Sequence, residues 1–134
     1  MRRRRAKRVP DGPRRMAIFL GAGRIAFGTL MVAAPRPFLV AARNPRDQIT
    51  DTARLLTRMT GLRDILLGVH LLRWLDDPDA LRSAALLNAA ADTGDFAALA
   101  ASARWEGFFE AGASGVPVAA SASAAFYLLA RSLG

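Results

Sequence analysis

The chain has 134 residues, 52% of them apolar, with no cysteine, one histidine and a formal net charge of +8. That length makes one domain. The missing cysteines exclude disulfides, thiolate metal sites and a cysteine nucleophile, and a lone His70 excludes a histidine-rich metal centre. Eight of the 19 basic residues precede position 16; counting Asp11 with that leader, the rest carries 11 basic and 10 acidic residues.

The leader, residues 1–15, holds Arg2 to Arg5, Lys7, Arg8, Arg14 and Arg15. Its stretch Val9-Pro10-Asp11-Gly12-Pro13 opposes a helix and predicts disorder. A basic run beside an apolar helix serves to keep an N-terminus in the cytoplasm and suits anionic lipid as a partner. Nucleic acid is the weaker reading of the same charge. Met16 directly follows and is an alternative start.

The first apolar segment, 16–34, has 19 residues and one charge, Arg24, close to the roughly 20 residues that cross a bilayer core. Val32-Ala33-Ala34 offers small residues for signal cleavage, but Pro35 would then open the mature chain, so an uncleaved helix is expected. Residues 35–51 read as a connector with Pro35, Pro37 and Asn44-Pro45. Ile49, Ala53, Leu56 and Met59 then share a stripe, an amphipathic start to a second helix over 52–75. Trp74 lies near its end, where an interfacial aromatic belongs. Asp76-Asp77-Pro78-Asp79 predicts a turn with Asp79 as N-cap of a third helix over 80–102. Arg104 to Glu110 is a charged, aromatic connector. The fourth segment, 111–130, is uncharged; it carries Pro117, and its Gly112, Gly115, Ala119 and serines predict close helix packing.

Read this way, residues 16–131 form an all-α, four-helix transmembrane bundle in the inner (plasma) membrane. With the N-terminus inside, 11 basic residues fall on the cytoplasmic side and 6 on the other; a start at Met16 would erase that bias.

Six ionisable residues sit inside these apolar segments: Arg24, Arg63, Asp64, His70, Asp92 and Asp95. Charge at such depth faces a protein interior or a water-filled cavity. Gly21, Arg24 and Gly28 share one helical face, and Gly61, Asp64 and Gly68 repeat the spacing. Glycines beside a charge allow close backbone approach, which predicts that the first two helices pack there with Arg24 paired to Asp64. Asn88, Asp92 and Asp95 share a face of the third helix, and Arg63 and His70 share another face of the second. These five form the expected polar core. Two arginines against three carboxylates need one more proton for neutrality.

An apolar helix ending in Ala34-Pro35-Arg36, then Arg58-x-x-Gly61-x-Arg63-Asp64 and Gly68, then Asp92-x-Gly94-Asp95, resembles a family of small bacterial four-helix integral membrane proteins of unknown function. The similarity covers about residues 16–130 and leaves the leader outside. It implies four spans and places Arg58, Gly61, Arg63, Asp92 and Asp95 in a shared pattern; it implies no activity.

Two functional readings follow. In one, the polar core handles protons, an ion or a small polar ligand. In the other, the chain is a structural or accessory membrane subunit, in a homo-oligomer or beside a membrane partner, whose buried charges specify helix pairing. No cofactor or metal is implied. Catalysis lacks support, because no nucleophile, metal set or phosphate loop accompanies Asp92 and Asp95. Gly21-x-Gly23 follows no strand and lacks the third glycine of a dinucleotide fingerprint.

Overall fold

The computed structural model describes residues 8–42, 44, 46–102 and 115–134. These residues are all-helical: α1 (Asp11–Ala33), α2 (Pro35–Ala41), a 3₁₀ turn (Arg46–Gln48), α3 (Asp51–Arg73), α4 (Pro78–Ser102) and α5 (Gly115–Arg131). The expected connector 104–110 and the start of the fourth segment lie outside the described residues.

Helix α1 begins five residues earlier than expected. Pro13 falls in its first turn, where a missing N–H breaks no helical hydrogen bond, and Val9 just before it is buried. Residues 9–15 therefore belong to the fold rather than to a disordered leader. Part of the connector is helical too: Phe38 on α2 meets Phe27 on α1 edge to face at 5.2 Å. Thr50 caps α3 by accepting from the Ala53 N–H at 3.1 Å. At α4 the cap is Asp77 rather than Asp79; its Oδ1 accepts from the N–H groups of Asp79 and Ala80.

The buried stripe of α1 is Ala17, Gly21, Arg24, Gly28 and Met31, and that of α3 is Thr57, Gly61, Asp64, Gly68 and Leu71. Both follow the 4-3-4-3 spacing of a helix–helix seam. Run antiparallel, they match position for position. A Cβ built on Gly28 would lie 2.5 Å from the Gly61 carbonyl oxygen, and one on Gly68 2.7 Å from that of Gly21. Two glycine crossings thus bracket the Arg24–Asp64 level.

The helices form two tight pairs, α1 with α3 and α4 with α5, and the pairs touch each other sparsely. Thr93 and Ser123 share a 2.8 Å hydroxyl contact inside the second pair. An apolar core of Ala17, Leu71, Leu81, Ala85, Phe126 and Leu129 closes one end, where the start of α1, the turn after α3 and the C-terminus meet; Arg14 lies 3.8 Å from Asp76 there.

The expectation of a four-helix transmembrane bundle is overturned. Among the described residues only α1 is long and apolar enough to cross a membrane, with a mean hydropathy of 1.7. Helix α3 carries Asp51, Arg54, Arg58, Arg63, Asp64 and Arg73; α4 carries Asp79, Arg82, Asp92 and Asp95. These charges outweigh their leucines and alanines, and α5 runs for 17 described residues. The apolar runs in the sequence are real, but embedded charge disqualifies two of them. On the stripe Ile49, Ala53, Leu56, Met59, the side chains of Leu56 and Met59 are exposed.

Alanine scanning of the glycines should separate crossing from open positions. Gly28→Ala meets backbone and should cost about 1–3 kcal/mol. Gly23→Ala meets nothing within 4 Å and should add about 0.5–1 kcal/mol by its helix preference. Denaturant unfolding of the two solubilised variants checks the sign of each.

Candidate functional site: a buried acid–base ladder

The glycine crossings bring the α1 and α3 backbones close enough for Arg24 to reach past its own partner helix. Its Nη1 donates to Asp92 Oδ2 at 3.0 Å and its Nη2 to Asp92 Oδ1 at 2.6 Å, a two-pronged pair across to α4. The same Nη2 donates to Asp64 Oδ1 at 3.1 Å. Arg63 repeats the pattern: Nη1 and Nη2 each donate to Asp95 at 2.6 Å, and Nη2 also to Asp64 Oδ1 at 3.1 Å. The result is one chain of alternating sign, Asp92–Arg24–Asp64–Arg63–Asp95, with Asp64 as its centre. Arginine suits this task because its planar fork meets a carboxylate at two points.

The ladder runs from a closed end to an open one. Arg24, Asp64 and Asp92 are buried, whereas Arg63 and Asp95 are each about a third exposed. Phe126 on α5 lies 5.3 Å from the Arg24 guanidinium carbon, so all four long helices touch this cation or its partners. Burial pushes the Asp92 carboxyl above its ordinary value, against the lowering by the hydrogen bonds and charge of Arg24; Asp64 and Asp95 add to the rise. Hydrogen bonds from Arg63 to Asp95 hold that arginine more firmly protonated, outweighing its partial desolvation.

The expected Arg24–Asp64 contact is present, but the two-pronged partner of Arg24 is Asp92. The structural pin and the polar core, expected as separate groups, are one network. Asn88 is buried one turn before Asp92 and donates to the carbonyls of Ala84 at 2.9 Å and Leu67 at 3.5 Å. His70 lies apart; it is exposed and meets Trp74 edge to face at 6.3 Å. Gly21, Gly28, Gly61 and Gly68 all lie at the crossings. Arg58 donates to the Val32 carbonyl at 3.3 Å, supplying a partner near the C-terminal end of α1, where carbonyls lack helical donors. Sequence reading did not single out Phe126 as a neighbour of Arg24. A shallow cleft lined by Arg36, Pro37, Val40, Arg46 and Ile49 lies away from the ladder.

Among the described residues no group of three or more His, Cys, Asp or Glu is placed to hold a metal ion; the three carboxylates are interleaved with guanidinium groups instead. No protein-family model, curated protein or solved structure matches this chain.

The ladder's energetics can be checked by paired substitution. Arg24→Met strands the buried Asp92 carboxylate and should cost about 3–5 kcal/mol. Arg24→Met with Asp92→Leu removes both ends of the two-pronged pair and leaves Asp64 on Arg63, so the double variant should be more stable than Arg24→Met alone. His70→Ala should change stability by less than about 0.5 kcal/mol. Equilibrium unfolding of the four proteins decides each ordering.

Proposed function

We propose that this chain is a membrane-associated helical protein with a structural or accessory role, in which the ladder locks two helix pairs together and the exposed apolar face of α1 meets lipid. The observation that carries the reading is the inverted distribution of polarity. Phe19 is 75% exposed and Leu66 69%, while Arg24, Asp64 and Asp92 are exposed by 9% or less. Leu55, Met59, Leu62, Leu66 and Val69 recur on α3 with the same 4-3-4-3 spacing as its buried stripe, on the opposite side.

The magnitude supports lipid as the medium. Sixteen large apolar side chains are exposed among the described residues. Each, being 38–75% exposed, forgoes a corresponding part of the roughly 1.5–3 kcal/mol that full burial of such a side chain gives. For Ile18, Phe19, Phe27 and Leu30 on α1, contact with lipid removes that loss. Only 28% of the most apolar window of α1 is buried, whereas the central helix of a water-soluble domain hides most of its surface. In this reading α1 inserts with the basic leader on the cytoplasmic, anionic side of the plasma membrane.

An accessory role follows because every charged member of the ladder already has a partner within it. Buried charges paired in this way fix register and partner choice. The alkaline-carbonate test is direct. The full chain should stay with membranes after carbonate washing and float with vesicles; release into the supernatant would overturn the lipid reading.

A further inference from the structure

The closed end of the ladder carries one negative charge too many. Arg24, Asp64 and Asp92 are one cation against two anions, and Arg63 and Asp95 balance each other at the open end. The two buried carboxylates are not equally served. Asp64 accepts from both arginines, Asp92 from Arg24 alone.

A second observation lies one helical turn away. Asn88 is fully buried, and its amide N–H₂ is committed to backbone carbonyls. Its Oδ1 has no donor, and among the described residues it is the one buried side-chain acceptor in that state. Residues four apart on a helix share a face, so this empty acceptor and the under-served carboxylate lie on the same side of α4. An unpaired buried acceptor is a standing cost that a nearby O–H would remove.

We propose that Asp92 is a proton-binding site: its carboxylate takes one proton from solution and the resulting O–H donates to Asn88 Oδ1. The step adds one proton, moves no electrons and brings the closed end from a charge of minus one to zero. Arg24 keeps Asp64 and an unprotonated oxygen of Asp92 as acceptors. The groups facing the site are Arg24 from α1, Arg63 and Asp64 from α3, and Asp95 and Asn88 from α4 itself. Helix α5 brings the Phe126 ring; its charged residue, Arg131, is exposed at its far end.

The direction in which burial moves this carboxyl agrees with the site. A group that binds its proton more tightly when folded stabilises the fold below its folded titration point and loses that contribution as pH rises through it. The site deepens the reading of the ladder as the joint between helix pairs by making the joint sensitive to proton supply.

Infrared spectroscopy of the solubilised full chain, titrated between about pH 4 and pH 8, reads the site directly through the carboxylic-acid carbonyl band. The band should persist above the ordinary aspartate range, a gain in proton affinity. It should be absent in Asp92→Asn, an uncharged mimic of the protonated side chain. Asn88→Leu, which removes the acceptor, should move the loss of the band to lower pH by about one unit. Circular dichroism confirms that each variant is helical. A native chain without the high-pH band, or a band surviving in Asp92→Asn, overturns the proposal, while the carbonate and flotation results stand or fall independently.

Discussion

The arrangement depends on one guanidinium group. Arg24 is the single cation at the closed end of the ladder, and through it α1 reaches α4 with two hydrogen bonds, α3 with one and α5 through an aromatic face. Each helix pair is held by its own close packing, but the pairs have little backbone contact with each other. A buried arginine with a missing partner costs several kcal/mol. Placing the cation between the pairs therefore makes their correct docking the condition for its burial.

The glycines and the charge are parts of one solution. An arginine on α1 can span to α4 only if α3 does not hold it at arm's length, and the Gly21–Gly68 and Gly28–Gly61 crossings let the two backbones nearly touch. At the crossings themselves even a Cβ has no room, so Ile25, Ile65 and Leu72 pack against the facing glycines, while Phe19, Leu66 and their neighbours form the exterior.

Much of this pairing was legible in the sequence, because spacing on a helix is local information. Gly21, Arg24 and Gly28 against Gly61, Asp64 and Gly68 gave the right helices, the right face and a true contact. The dominance of Asp92 was not legible: where α4 sits relative to α1 is set by tertiary docking. His70 shows another limit. It shares a face with Arg63, but an arginine is long enough to bend its head back toward Asp64 and Asp95, and an imidazole is not. The count of membrane spans failed for a related reason. Apolar length was visible in each segment, but the charges of α3 and α4 entered that judgement as clues to function rather than as costs of crossing. Pro13 misled at the N-terminus, since a proline that breaks a helix interior is harmless in the first turn.

The matched stripes of α1 and α3 carry an ambiguity that their charges remove. Their glycines recur every seven residues, so sliding one helix by seven would still set a glycine against a glycine, with Gly28 facing Gly68. Small residues alone would accept that misalignment. Arg24 would not, because Asp64 would no longer stand opposite. The same holds for α4. A slip of one turn toward its C-terminal end would bring Asn88 to the place of Asp92 and Ala91 to that of Asp95, forfeiting both two-pronged pairs. The ladder therefore acts as a ruler: repetition brings the helices together, and the irregular placing of charge along them leaves one alignment in which every ion is matched.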